Sequence, residues 1–273
     1  MQLNNMPAID KIHFNNGICN IASGEHVIDF SNIESTDVVL NNEVNSNTDI
    51  FINGIRDLKT ITFNVSENSS LNISFLFSLK INPLKIIINV KANSVVTAYF
   101  AEFSTDNLLL DCEINLLEEN ASAYVKLASL SSNKDDKKIS VSINHLVPKT
   151  YGKVDNYGVC KDNGKLLFSG TSHIFEKAVK SKTQQNAKIM VFDEASNAIA
   201  KPILKIDEND IEASHAAVVG KINDEHLFYL TSRGISEADA KQLITFGYLK
   251  PIIEGFKDQG TREFISSLIE RRM

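Results

Sequence analysis

Cysteine is scarce in this sequence, and its distribution excludes the usual local metal sites. The three cysteines, Cys19, Cys112 and Cys160, lie far apart, and no C-x-x-C spacing occurs. The sequence therefore encodes neither a zinc knuckle nor a self-contained metal-cluster site. We interpret all three residues as buried or incidental thiols.

Long apolar runs and basic clusters are missing as well. The most apolar stretch, residues 84–90, is short and contains Lys85 and Asn89, so nothing is long enough to span a bilayer. The N-terminus lacks the charged start and apolar run of a secretory signal. The net charge of -6 is spread along the chain without a basic face, which argues against nucleic acid as a partner. We therefore expect a cytoplasmic protein.

Signatures of nucleotide binding and nucleophilic catalysis do not occur either. The patterns G-x-x-x-x-G-K-[ST], G-x-G-x-x-G after a strand, and G-x-S-x-G are all absent. None of the six histidines forms H-E-x-x-H or another compact metal spacing. If ATP drives a process that involves this protein, another subunit must supply the hydrolysis.

Short runs with β character fill the sequence from about residue 25 to 220. They are rich in Ile, Val, Phe and Thr, and many alternate apolar with polar residues. Asn, Ser, Asp and Gly, which favour turns, separate these runs. These patterns predict an all-β core. The charged segment 131–138, S-S-N-K-D-D-K-K, is expected to be a solvated turn within it.

A polar turn recurs at a longer period. Asn68, Asn93 and Asn120 each precede a β-type run, at spacings of about 25 to 27 residues. Such a period is typical of a β-solenoid, whose stacked coils align their turns along one edge. A β-sandwich with turns spaced by chance explains the same pattern, and the residues alone leave both folds open.

The pattern changes to helical at Gly234. Ser236, with Asp239 three residues on, resembles a capping box, and apolar residues then follow at helical spacing. Pro251 predicts a break or kink, and a second helix is expected to begin near Gly260 and Thr261. We divide the chain into an N-terminal segment at 1–24, a β core at 25–233 and a small helical domain at 234–273.

The most specific pattern lies between residues 210 and 235. An alternating strand carries His215 and leads to Gly220, followed by L-F-Y-L at 227–230 and S-R-G-I at 232–235. A second pattern places Ala178, Ser181, Gln185 and Asn186 before an apolar strand. Both resemble the SufB/SufD family of iron–sulfur cluster assembly scaffolds, and the chain looks SufD-like. The resemblance is good over about 141–256 and weak before it. The helical region that precedes the β-rungs in larger SufD proteins has no counterpart here, which suggests a short form.

The resemblance implies a right-handed parallel β-helix with a C-terminal helical domain. It implies a non-enzymatic scaffold subunit of the SUF system, in complex with a SufB-type subunit and a SufC-type ATPase. No cluster is expected to bind stably to the isolated chain, and a transient iron–sulfur cluster is expected at an interface of the complex. A homodimer is the other oligomer that we consider.

His215 is the site residue that the resemblance implies, as an interface histidine for cluster assembly and a transient iron ligand. The family's cysteine two residues earlier is Ala213 here, and the glycine after the histidine is Ala216, so a soft iron ligand is missing. His145 is expected to be structural and hydrogen-bonded within a coil. On the C-terminal helices, the expected anchors for the ATPase are Phe246, Tyr248 and Phe256.

Two other functions fit a chain of this type. One is a purely structural β-solenoid homodimer without cluster chemistry. The other is a β-solenoid enzyme acting on polysaccharide, which would need clustered catalytic side chains on one face. No such cluster recurs in the sequence, and no secretory signal is visible, so we rank the enzyme last.

Overall fold

Two parallel β-sheets form most of the protein in the computed structural model, which describes residues 17–32 and 35–273. The strands of the first sheet, here the odd sheet, are in order β1 (Ile18–Ile21), β3 (Asp37–Asn42), β5 (Thr60–Val65), β7 (Leu84–Val90), β9 (Leu108–Leu116), β11 (Asp136–His145), β13 (Lys165–Ile174) and β15 (Asn197–Ile206). The strands of the even sheet are β2 (Gly24–Asp29), β4 (Asn47–Asn53), β6 (Ser70–Phe77), β8 (Val95–Glu102), β10 (Ser122–Ser131), β12 (Tyr151–Cys160), β14 (Lys182–Val191) and β16 (Glu212–Lys221).

Each strand pairs in parallel with the strand two places along the chain, so every coil gives one strand to each sheet. This confirms the predicted parallel β-helix and excludes the β-sandwich. Alternate residues of each strand point between the sheets, and in-register pairing stacks similar side chains from neighbouring coils on one another. Phe75 and Phe100, for example, are fully buried and stack with ring centroids 4.7 Å apart.

The predicted asparagine repeat is confirmed at the turns. Asn68, Asn93 and Asn120 all have left-handed backbones, with φ of 53°, 56° and 61°. Asparagine adopts this conformation more readily than other residues with a Cβ. Their amides also bond to one another, with Nδ2–Oδ1 distances of 3.2 Å from Asn93 to Asn68 and 3.0 Å from Asn120 to Asn93.

A second asparagine ladder, which was not predicted from the sequence, runs along the odd sheet. Each side-chain amide donates to the asparagine of the preceding coil over 2.8 to 3.1 Å. Its members are Asn20, Asn41, Asn64, Asn89, Asn115 and Asn144. The spacing between them varies with the length of the coils, so no fixed period shows in the sequence.

Three helices follow the last strand: α1 (Asp224–Ser232), α2 (Glu237–Ile253) and α3 (Gln259–Glu270). Ser236 caps α2 as predicted, its Oγ accepting from the backbone N of Asp239 at 3.1 Å. The predicted break at Pro251 is wrong, because α2 continues through the proline to Ile253. A proline in the last turn interrupts little of the helix that remains. No helix in the described part of the chain is long and apolar enough to cross a membrane.

Two elements differ in type from the predicted segment that contains them. Strand β1 falls inside the segment 1–24, of which residues 1–16 lie outside the described residues. Helix α1 contains the L-F-Y-L motif and falls inside the range 25–233 assigned to the β core. The three-domain division itself stays a prediction.

The solvated turn predicted at 131–138 is confirmed at Asn133 and Lys134, which are exposed, but two charged residues of the segment are buried. Lys137 is fully buried and its Nζ lies 2.6 Å from Oε2 of buried Glu102. Asp135 is buried as well, in contact with Arg272 just beyond α3. Asp135 and Lys137 therefore face a packed junction between solenoid and helices, where each of the two has a partner of opposite sign.

Candidate functional site

His215 lies on β16, the terminal strand of the even sheet. Its Cα pairs in register with that of Gln185 on β14, and Gln185 is buried between the sheets. Partners in a parallel ladder share a face, so Ala213, His215 and Ala217 continue the inward face of the solenoid. His215 is nonetheless exposed, since no described strand pairs with the other edge of β16. The imidazole is thus presented at the open end of the coil stack.

Beside His215 the solenoid interior is polar. The Nε2 of Gln185 donates to Ser172 Oγ at 2.6 Å and to the Ile203 carbonyl at 3.2 Å, and Thr183 also donates to Ser172. The Oε1 of Gln185 is buried and accepts no hydrogen bond from any described residue. Gln185 was assigned no role from the sequence, although it belongs to the pattern of Ala178, Ser181, Gln185 and Asn186 that resembles the family.

Apolar side chains are exposed around the same end. On β16, Val218 is 58% exposed and Val219 is exposed as well. On β15, Ile199 and Ile206 are exposed. A free strand edge flanked by exposed apolar residues favours pairing with another chain. This end of the solenoid can therefore accept a further strand together with apolar contacts.

The described residues do not by themselves form a metal-ligand set. No group of three His, Cys, Asp or Glu in that part of the chain is arranged to hold a metal ion. The thiols of Cys19, Cys112 and Cys160 are buried, and burial raises the pKa of each, to about 11 for Cys160. Buried protonated thiols are poor nucleophiles and poor ligands. Within the described part of the chain, His215 is therefore not accompanied by a set of metal-ligating side chains.

His145 is structural, as predicted. It is fully buried, and its Nδ1 lies 2.8 Å from Thr150 Oγ1. Burial lowers the pKa of the imidazole to about 4, which keeps it neutral at pH 7. Gly152 on β12 leaves room for the ring, because a Cβ there would lie 2.9 Å from Nε2.

The aromatic residues of the helices divide into packed and exposed groups. Phe256 is 1% exposed, and its ring centroid lies 6.2 Å from that of Tyr99 on β8. Tyr248 packs on Tyr157 of β12, at 5.7 Å between centroids, and Phe246 is partly buried in the same cluster. A role of these three in docking stays a prediction. The exposed aromatic residues are instead Phe228 and Tyr229 on α1, and Leu243 on α2 is an exposed aliphatic residue.

Comparison with known proteins points to one family. Residues 23–248 match the family model described as "SUF system FeS cluster assembly, SufBD core domain". SufD of Bacillus subtilis is 30% identical over 159 residues, which cover 58% of this chain and 36% of that protein. SufD of Escherichia coli is 31% identical over 115 residues, covering 42% and 27%. SufB of Bacillus subtilis is 33% identical over 107 residues, covering 39% and 23%. The matched part therefore spans between 23% and 36% of the length of these relatives.

Proposed function

The chain belongs to the SufBD family of iron–sulfur cluster assembly proteins, and from this premise we propose that it is a SufD-like scaffold subunit. In this proposal it works in the cytoplasm with a SufB-type subunit and a SufC-type ATPase. It acts by positioning and ligation rather than as an enzyme. The comparisons favour neither the polysaccharide-active enzyme nor the structural homodimer.

The observation that carries the proposal is the open end of the solenoid. Strand β16 offers a free edge of backbone groups, with exposed Val218 and Val219 beside it. A strand of the SufB-type partner can add to this edge, because main-chain hydrogen bonds supply affinity and the valines add apolar contact. A second copy of the chain could use the same edge, so the mass of the assembled complex separates the two cases.

His215 contributes one ligand to the nascent cluster in this arrangement. Its neighbours on the inward face, Ala213 and Ala217, are small and leave space for iron to approach the ring. A neutral imidazole binds iron at cytoplasmic pH. Since Ala213 has no thiol, the partner subunit must provide the remaining ligands. The cluster is therefore cargo held at the interface and not a resident group of the isolated chain.

The His215→Ala variant tests this role. We expect a folded variant that assembles with its partners and forms no cluster on the whole complex under anaerobic reconstitution. His26→Ala, at the opposite end of the same sheet, is the matched control and should keep wild-type cluster absorbance. Wild-type cluster yield from His215→Ala would contradict the proposal. A stable stoichiometric cluster on the isolated chain would contradict the shared ligation.

The helices dock the ATPase in the same proposal. Helix α1 buries none of its residues, and Phe228 is 73% exposed next to Tyr229. Aromatic residues dominate interface energies, so these two extend the predicted set of Phe246, Tyr248 and Phe256. Replacing Phe228 and Tyr229 with serine should abolish capture of the ATPase, whereas Leu79→Ser, at an exposed position on a solenoid loop, should not. Equal capture by both variants would refute this docking site.

A further inference from the structure

The column of inward-facing residues that ends at His215 changes in character one coil below it. In β10 and β12 this column holds Val125 and Val154, which are buried and apolar. In β14 it holds Gln185, which is 3% exposed, and in β16 it ends at His215. An amide in place of a third valine costs free energy unless its polar atoms find partners. Apolar packing of the core therefore does not account for Gln185.

The side chain of Gln185 crosses the interior of the solenoid and is bonded to the odd sheet. Its Nε2 donates to Ser172 Oγ on β13 at 2.6 Å and to the Ile203 carbonyl on β15 at 3.2 Å. Gly170 on β13 leaves room for the amide, because a Cβ at that position would lie 2.7 Å from Oε1 of Gln185. The amide therefore fills the space beneath the last coil and occupies two acceptors there.

His215 has no comparable restraint of its own. Its ring makes no hydrogen bond or ion pair with any described residue. Its neighbours on the same face, Ala213 and Ala217, are small and do not hold the ring from the sides. An imidazole N–H can donate to the same kinds of acceptor as an amide N–H. If the space beneath it were empty, the ring could turn inward, bond there and no longer face the open end.

We propose that Gln185 is a positioning residue for His215. It fills the interior beneath the ring and occupies the acceptors on the odd sheet, and in this way it keeps the imidazole turned toward the open end of the solenoid. The inference rests on the proposed function only for the purpose of the exposed ring, which is to meet the cluster there. Gln185 itself touches no cluster and no partner in this role.

Carbethoxylation of the full chain with diethyl pyrocarbonate tests this role, because the reagent modifies accessible imidazoles and peptide mass spectrometry gives the rate for His215 separately. His226 on α1 is exposed and serves as the reference in the same molecule. In Gln185→Ala we expect the ratio of the His215 rate to the His226 rate to fall about fivefold, since about one hydrogen bond then favours the inward ring.

Two further variants separate the filling of space from other effects. Gln185→Met fills the interior without a donor, so the ring should stay outside and the ratio should remain within about twofold of wild type. Gln184→Ala, at the neighbouring half-buried position on the outer face of β14, is the matched control and should leave the ratio unchanged.

An unchanged ratio in a Gln185→Ala variant with wild-type circular dichroism would overturn the proposal. Equal falls in Gln185→Ala and Gln185→Met would overturn it as well, because loss of the amide's hydrogen bonds alone would then explain both. Cluster yield on the whole complex tests the proposed function separately. A fall of the ratio in Gln185→Ala with wild-type cluster yield would support the positioning role of Gln185 and contradict ligation by His215.

Discussion

The buried ion pair of Glu102 and Lys137 gives the sharpest test of how the helices are held on the solenoid. Both side chains are fully buried, with Nζ 2.6 Å from Oε2 and 2.7 Å from the Ser104 carbonyl. Ser129 donates to the same carboxylate oxygen at 2.7 Å. Arg272, just beyond α3, donates to the Ser104 carbonyl as well. The pair therefore belongs to the junction that anchors the C-terminal end of α3.

Lys137→Met removes one charge from this pair and leaves the other buried. Two serine hydroxyls remain beside Glu102, and hydroxyl hydrogen bonds do not compensate a carboxylate out of water. Breaking a buried pair on one side costs about 3–5 kcal/mol. For a chain of this size that corresponds to a fall in melting temperature of roughly 6–20 °C.

The double variant Glu102→Gln with Lys137→Met removes both charges and keeps the hydrogen-bond acceptor for Ser129. We expect it to recover most of the lost stability, since a neutral replacement of a buried pair is often without cost. Urea unfolding at pH 7 measures the free energy of unfolding of each variant. Lys85→Met, which breaks a half-exposed pair with Glu113 at 2.8 Å, is the control and should cost less than about 1 kcal/mol. A loss below about 1 kcal/mol in Lys137→Met, or a double variant no more stable than the single one, would refute the reasoning.

Two further predictions concern stability. The folded-state pKa of His145 is about 4 against 6.5 for a free imidazole, so below pH 6.5 the unfolded chain takes up the proton first. The free energy of unfolding should therefore fall by on the order of 3 kcal/mol as the pH falls from 6.5 to 4. In His145→Gln this contribution is absent, so the free energy of unfolding should fall less over the same range. Equal pH dependence of the two proteins in urea unfolding would contradict this. Gly255→Ala should cost about 1–3 kcal/mol because its Cβ collides with the Tyr99 ring, and the double variant Gly255→Ala with Tyr99→Ala should lose less than the sum of the two single variants. Additive losses in the double variant would show that the ring is not the obstacle.

Local chemistry determined much of this protein from the sequence. The alternation of apolar and polar residues defines strands whichever way the chain winds, and Asn68, Asn93 and Asn120 mark turns because asparagine tolerates the left-handed backbone. Ser236 marks the start of α2 through a bond to a residue three positions away. The motif around His215 identified both the family and the candidate residue. Each of these signals depends on neighbours in sequence, so no knowledge of the fold was needed.

Only the tertiary structure decided which polar and apolar residues are buried. Lys137 lies in a run of charges that indicates a solvated turn, yet it is buried, because Glu102 from a preceding coil lies opposite it. Phe256 and Phe228 are both aromatic residues of the C-terminal part of the chain, but Phe256 is buried against Tyr99 of the solenoid and Phe228 is 73% exposed. His215 is exposed because its strand is the last of the sheet, although its register places it on the inward face. Burial and pairing depend on which coils meet in space, and that is set by contacts between residues far apart in the sequence.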